Sequence, residues 1–135
     1  MPKHGGIMNN DTLCTNILIE FYKANPVVIE TLQHIGSARI AVSVITKAEL
    51  FYGVRDKQEL AKIERHLSVC RCYGLNDSIS TDFIKLMRRY SLSHKDSIPD
   101  MLIAATAVHH ELELYTLNTK DFKFIPELNL YPNKL

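Results

Sequence analysis

The 135-residue chain alternates between two hydrophobic periods. Short runs rich in β-branched residues, such as RIAVSVI at 39–45, predict buried strands, and segments with apolar residues three and four positions apart predict helices. The predicted helices are 26–35, 46–54, 56–67, 79–92 and one beginning at Pro99; further strands are predicted at 69–75, 113–117 and 128–132. Strands separated by helices indicate βαβ crossovers, and therefore an α/β fold with a mainly parallel sheet covered on both faces.

Composition and length indicate one globular domain. The chain is 46% hydrophobic and 23% charged, an ordinary balance for such a domain. No apolar run approaches the roughly 20 residues that cross a bilayer, and the opening MPKHGG lacks the apolar centre of a secretory signal. We therefore expect no membrane association and a cytoplasmic location. We place the domain at residues 8–135, with residues 1–7 as an N-terminal tail or expression remnant, because Met8 offers an alternative start.

Net charge and cysteine content exclude two simple interpretations. A formal charge of +1 provides no global basic field for nucleic-acid binding, so any such contact must be a local patch. The three cysteines, Cys14, Cys70 and Cys72, have no partners at zinc-finger spacing, so we expect no structural zinc site.

Polar residues that follow predicted strands or begin helices supply the candidate chemistry. Glu49 follows the strand at 39–45, Asp100 lies in the first turn after Pro99, and Asn118 and Asp121 follow the strand at 113–117. In parallel sheets such positions meet at the carboxyl edge, where ligands bind. Clustered carboxylates oppose each other's ionisation, and a hard cation such as Mg²⁺ offsets that cost. The pattern indicates metal-assisted phosphodiester hydrolysis.

Each acid also has a purely structural interpretation. The helix macrodipole alone favours Asp100 at a helix start, and Asp121 can simply initiate a turn. Glu49 is harder to explain in this way, because Ala48, Leu50 and Phe51 surround it close to a buried strand.

Four motifs in this order resemble PIN domains, most closely the VapC toxins of VapBC toxin–antitoxin pairs. They are TNILIEFYK, SVITKAELFYG, PDMLIAATA and LYTLNTKDF, and the resemblance spans about residues 13–131. It implies a three-layer α/β/α fold and an endoribonuclease that uses Mg²⁺ or Mn²⁺ to cleave RNA, often tRNA or ribosomal RNA. It also implies a homodimer and a cognate VapB-type antitoxin, both of which use the helices nearest the amino end.

The resemblance assigns roles to individual residues. Glu49 matches the second acid of the family and Asp100 the third, while Asn118 takes the place of the fourth, with Asp121 as a possible replacement. Thr15 and Thr119 match hydroxyl positions that place water or ligands.

Cys14 occupies the place of the first acid, an aspartate that ligates the metal. The change is either a substitution or a one-residue loss. Asp11 is a poor replacement, because an odd offset along a strand points to the opposite face. Loss of one charge and one hard oxygen implies an impaired site. Alternatively, Cys14 is a small core residue that completes the strand.

One local concentration of positive charge precedes Asp100. Lys85, Arg88, Arg89 and Lys95 either contact RNA phosphates or form an ordinary solvated helix face.

Three functions remain open from the sequence. The first is an impaired PIN-domain ribonuclease toxin, and the second is a catalytically silent PIN domain that binds an antitoxin or RNA. The third is an unrelated doubly wound domain, against which the lack of a glycine-rich phosphate loop argues in part.

Overall fold

A computed structural model describes residues 10–95 and 97–132, and within them five strands form one sheet. Every neighbouring pair is parallel, in the order β3-β2-β1-β4-β5. The strands are β1 (Thr12–Cys14), β2 (Ile40–Ser43), β3 (Arg71–Tyr73), β4 (Glu113–Tyr115) and β5 (Asn129–Leu130). The predicted α/β fold is confirmed. The strand predicted at 113–117 ends earlier than expected, at Tyr115.

Within residues 10–95 and 97–132, six helices connect and cover these strands. They are α1 (Ile17–Tyr22), α2 (Pro26–Ile35), α3 (Val44–Tyr52), α4 (Lys57–Leu67), α5 (Asp77–Tyr90) and α6 (Ile98–His110). Short 3₁₀ turns lie at Ser37–Arg39 and Thr119–Asp121. Among the described residues, no helix has both the length and the apolar character that crossing a bilayer requires.

Side-chain caps mark the starts of α2 to α6, whereas α1 begins without one. The Asn25 side chain accepts hydrogen bonds from the amides of Val27 and Val28, directly ahead of α2. Asp56, Asn76 and Ser97 cap α4, α5 and α6 in the same way. Such a cap satisfies backbone amides that have no partner inside the helix.

The capping rule also corrects one prediction. The strand predicted at 39–45 ends at Ser43, whose hydroxyl accepts a hydrogen bond from the amide of Ile45. The β-branched residues Val44 and Ile45 therefore belong to α3, where the cap outweighs their strand propensity. As a result, Glu49 lies in the second turn of α3 rather than at its start.

The two faces of the sheet bury different sets of side chains. Leu13, Ala41 and Leu114 pack with buried residues of α5 and α6. On the opposite face, Cys14 and Tyr115 pack with residues of α1 and α2, while neighbouring Val42 packs with α3 and α4. Alternate residues of a strand point to opposite faces, so one short strand supports both cores. The result is the predicted three-layer α/β/α arrangement.

Candidate active site

The candidate site lies where strands end and helices begin. α3 leaves the carboxyl end of β2, and α6 begins with Ile98, packs against α3 and returns to β4. The first turn of α6 therefore lies at the same edge of the sheet as α3. This is the edge at which parallel α/β sheets bind ligands.

Glu49 and Asp100 interact electrostatically at this edge. Glu49 is exposed overall, but partial burial raises the pKa of its carboxyl group, and the nearby Asp100 carboxylate raises that pKa further. The Ser97 hydroxyl accepts a hydrogen bond from the Asp100 amide at 3.1 Å, which holds the start of α6 in place. Two carboxylates from distant segments of the chain therefore lie close enough for their charges to interact.

A small cavity of about 220 Å³ brings Thr15 and Asn118 together. Thr15 donates from its hydroxyl to the Tyr115 carbonyl at 3.3 Å, so the end of β1 is tied to β4. The Thr116 hydroxyl accepts a hydrogen bond from the Asn118 amide at 3.1 Å, which shapes the turn after β4. Two of the predicted site residues therefore share one polar pocket.

Asp121 and Thr119 form the 3₁₀ turn that follows this pocket. Both are partly buried. Within residues 10–95 and 97–132, no group of three or more His, Cys, Asp or Glu side chains is arranged to hold a metal ion. Asp121 thus does not form a three-carboxylate cluster with Glu49 and Asp100 in this arrangement.

Cys14 lies in the hydrophobic core rather than in the polar pocket. Its side chain is 3% exposed and packs with Ile17, Val28 and Tyr115. Burial raises the pKa of the thiol to about 12, and Cys70 contributes to the increase. The thiol also borders an apolar cavity of about 590 Å³ beneath α1 and α2. Cys14 is therefore a protonated, buried thiol, as expected of a core residue.

Asp11 occupies a different environment from the candidate site. It is 6% exposed and accepts hydrogen bonds from Arg71 and from the Tyr73 hydroxyl, the latter at 2.7 Å. Tyr73 packs against the core on the α5–α6 face, opposite to the face that buries Cys14. Asp11 is thus already engaged by a cation on the other face of the sheet.

The predicted basic patch is divided by the structure. Lys85, Arg88 and Lys95 are exposed. Arg89 instead forms an ion pair with Glu127 at 3.0 Å, and its guanidinium lies over the Tyr90 ring. Three of the four cations therefore face solvent without the ion pair that holds Arg89.

The donor set at this edge is compatible with a hard divalent cation. Mg²⁺ is often bound by one or two carboxylates together with water and substrate phosphates, so the Glu49–Asp100 pair is sufficient in kind. Burial and the neighbouring Asp100 carboxylate raise the pKa of Glu49, because both disfavour its negative charge. A bound cation would offset this effect by favouring the charged form.

Two residues of this region were not among the predicted site residues. Glu20 and Thr116 line the same cavity as Thr15 and Asn118. Glu20 also forms an ion pair with Lys23 at 3.5 Å. Its position one turn after Asn16, on the helix that leaves β1, was the available signal, because helix starts after parallel strands border the ligand edge.

Comparison with known proteins agrees with this architecture. The family model described as the PIN domain matches residues 14–128. Ribonuclease VapC19 of Mycobacterium tuberculosis is 32% identical over 118 residues, which cover 84% of this chain and 93% of that protein. Ribonuclease VapC10 of the same species is 37% identical over 90 residues, 66% of this chain and 67% of that protein.

Solved structures show the same similarity. A toxin–antitoxin complex from Klebsiella pneumoniae has a TM-score of 0.76 at 29% identity and covers 93% of this chain and 100% of its own. VapBC2 from Rickettsia felis, bound to a DNA fragment from its promoter, has a TM-score of 0.78 at 26% identity, with 89% and 96% coverage. The chain belongs to the PIN domain family. Within that family it is of the VapC type, as its motifs predicted.

Proposed function

We propose that this VapC-type chain is the toxin of a type II toxin–antitoxin system and acts as a metal-dependent endoribonuclease. The observation that carries the proposal is the Glu49–Asp100 pair at the ligand edge of a PIN fold, where partial burial and the Asp100 carboxylate raise the pKa of Glu49. Similar proteins named as ribonucleases support the reaction class. The substrate is RNA, of the tRNA or ribosomal RNA class.

The proposed site divides the work among residues of several elements. Glu49 and Asp100 hold Mg²⁺ or Mn²⁺, and Asn118 contributes an amide oxygen, with Asp121 as the alternative. Thr15 and Thr119 position water or phosphate oxygens. A cation held by these residues would supply activation of water and stabilisation of the leaving oxygen. The neutral thiol of Cys14 leaves the site one negative charge short, so we expect weak metal binding and impaired activity.

The proposed assembly follows from the solved toxin–antitoxin complexes that this chain resembles. A VapB-type antitoxin is the expected partner, and we propose a homodimer in the cytoplasm. The domain is proposed to span residues 8–135, with residues 1–7 as a tail. The boundary between them lies outside the described residues.

A cleavage assay tests the proposed activity directly. Incubation of single-stranded and structured RNA with the chain should give products with Mg²⁺ or Mn²⁺ and none with EDTA. Asp100→Asn should reduce the rate at least about 100-fold, because it removes a charged ligand of the cation that activates water. Glu30→Gln, at an exposed acid of α2, is the matched control and should leave the rate unchanged. Cleavage that persists at the native rate in Asp100→Asn contradicts the proposal.

Restoring the missing acid tests the role of Cys14. Cys14→Asp should increase the Mg²⁺-dependent rate about tenfold or more, because it returns an oxygen ligand and a charge. Since the position is buried, the same change should lower the melting temperature in EDTA, and Mg²⁺ should recover part of that loss. Cys14→Ser controls for loss of the thiol alone. Equal and robust cleavage by the native chain and Cys14→Asp would show that position 14 does not limit the site.

The second candidate is a catalytically silent PIN domain that binds an antitoxin or RNA. The buried, uncharged thiol at position 14 favours it. This candidate predicts that RNA or antitoxin binds while no cleavage occurs with any divalent cation. Cleavage that disappears in Asp100→Asn excludes it.

A further inference from the structure

An aromatic cluster lies where α5 ends, in the segment that leads to Asp100. The rings of His94 and Phe124 are stacked, with centroids 3.9 Å apart and planes 11° from parallel. Tyr90 meets Phe124 edge-on at 4.7 Å and His94 at 5.7 Å. None of these residues belongs to the site described above.

Hydrogen bonds fix the orientation of this cluster. The Tyr90 hydroxyl donates to the Phe124 carbonyl at 3.3 Å, and the Ser93 hydroxyl lies 2.9 Å from Nδ1 of His94. His94 is nevertheless exposed. One ring face is therefore occupied by Phe124, while the imidazole keeps a large surface that is open to solvent and already oriented.

His94 also lines a cavity of about 190 Å³. The walls are Leu86, Met87, Tyr90, Ser91, His94, Lys95 and Met101. Sites for drug-sized molecules measure about 300–1,000 Å³, so this cavity suits a single flat ring rather than a larger ligand.

Two exposed cations, Arg88 and Lys95, lie in the same segment of the chain as His94. Lys95 lines the cavity and is exposed, and Arg88 is exposed at the end of α5. Within the described parts of the chain, neither side chain forms an ion pair. Met101, another wall residue, directly follows Asp100 in α6. The cavity therefore adjoins the helix turn that carries the candidate metal ligand.

We propose that His94 is a stacking platform for an unpaired base of the RNA substrate, with Lys95 and Arg88 holding the flanking phosphates. Proteins recognise single-stranded RNA by stacking bases on aromatic side chains, including histidine, beside cations that follow the backbone. The oriented imidazole, the ring-sized cavity and the two cations combine these elements in the segment 88–95, which leads to Asp100. The inference rests on the proposed ribonuclease function, and it assigns the substrate a single-stranded segment near the scissile bond.

Binding to a fluorescent single-stranded RNA oligonucleotide tests the platform. The measurement uses the full chain with Asp100→Asn, so that the RNA is not consumed, and follows anisotropy at fixed salt. His94→Ala in that background should weaken binding about tenfold, the effect of losing one stacked base. His94→Phe should retain most of the affinity, because it keeps the stacking surface. His34→Ala, which removes an exposed histidine of α2, should have no effect.

Salt dependence separates stacking from phosphate contact. Lys95→Gln should reduce the slope of log affinity against log salt by about 0.7, the value for one phosphate contact on a single strand. His94→Ala should leave that slope unchanged if the ring acts only by stacking. A duplex of the same sequence should bind with equal affinity to the proteins with and without the His94→Ala change, because its bases are not available to stack.

Two outcomes would overturn the platform. One is that His94→Ala does not weaken binding of the single strand, either because the affinity is unchanged or because no variant binds RNA at all. The other is a loss in His94→Phe as large as that in His94→Ala with both variants folded, since this would show that the ring face is not used. Failure of the ribonuclease proposal looks different, because it appears in the cleavage assay, either as no cleavage with any divalent cation or as cleavage that does not depend on Asp100.

Discussion

The buried acid Asp11 and the acid pair Glu49 and Asp100 lie in opposite electrostatic environments. Asp11 is buried before β1 and accepts hydrogen bonds from Arg71 and Tyr73, which lie on β3. Glu49 and Asp100 lie at the other end of α6, where partial burial and their mutual repulsion raise the pKa of Glu49. Tyr73 contacts His110 at the last turn of α6, about 15 Å along the helix from Asp100.

The difference separates a structural acid from a candidate catalytic one. A buried carboxylate that meets a cation and a hydroxyl inside the protein has its charge compensated by the fold. A carboxylate such as Glu49, whose pKa is raised by partial burial and by a neighbouring carboxylate, instead weakens the folded state when it is ionised in the absence of a cation. A carboxylate whose charge is compensated by side chains of the same protein has a role in stability. A carboxylate pair whose charge would be compensated by a bound cation has a role in binding.

Removal of the structural acid should have the largest effect on stability. Asp11→Ala should lower the free energy of unfolding by about 2–3 kcal/mol, because Arg71 and the Tyr73 hydroxyl lose their buried acceptor. Tyr73→Phe, which removes one hydrogen bond, should cost about 1 kcal/mol. Urea unfolding measures both changes, with Glu30→Ala at an exposed acid as the control. A value for Asp11→Ala no larger than that for the control would remove the distinction between the two groups.

Cation binding should stabilise the other group. Mg²⁺ at ten times its dissociation constant should raise the free energy of unfolding by about 1.4 kcal/mol, because it binds only the folded site. Thermal unfolding with increasing Mg²⁺ measures this shift. Asp100→Asn should abolish it, whereas Asp11→Asn should leave the increment intact even though the protein is less stable. An equal Mg²⁺ shift in Asp100→Asn would place the cation elsewhere.

The smallest expected effect concerns Glu49 in the absence of metal. A raised pKa in the folded state means that the ionised carboxylate is disfavoured there, so its cost appears as pH rises through the unfolded value of about 4.3. In EDTA at pH 7, Glu49→Gln should therefore be more stable than the native chain by a few tenths of a kcal/mol, because solvent screens a largely exposed group. The difference should vanish near pH 3.5. A Glu49→Gln variant that is less stable at pH 7 would contradict the repulsion.

Much of the fold follows from local signals in the chain. The caps at Asn25 and Asp56 mark the starts of α2 and α4, and the β-branched run at Ile40–Ser43 marks a strand. Local competition explains the error at Val44 and Ile45, where a serine cap overrides strand propensity. Candidate site residues could be predicted from the sequence because the carboxyl ends of parallel strands lie at one edge of the sheet.

Other features depend on contacts that no local pattern encodes. Asp11 meets Arg71 across 60 positions of sequence, and the His94–Phe124 stack joins two loops 30 positions apart. The distribution of the acids was also beyond local prediction. Glu49 comes close to Asp100, whereas Asn118 shares its pocket with Thr15, because α3 packs on α6 while β4 lies beside β1.

The sequence by itself determined the alternation of strands and helices, the parallel sheet and the family, since these depend on periodicity, caps and motif order. Only the tertiary structure decided which acid is neutralised by the fold, which pair remains in mutual repulsion, and that the thiol of Cys14 is buried. The physical reason is that charge compensation and burial depend on distances between side chains. Those distances exist only after the chain has packed.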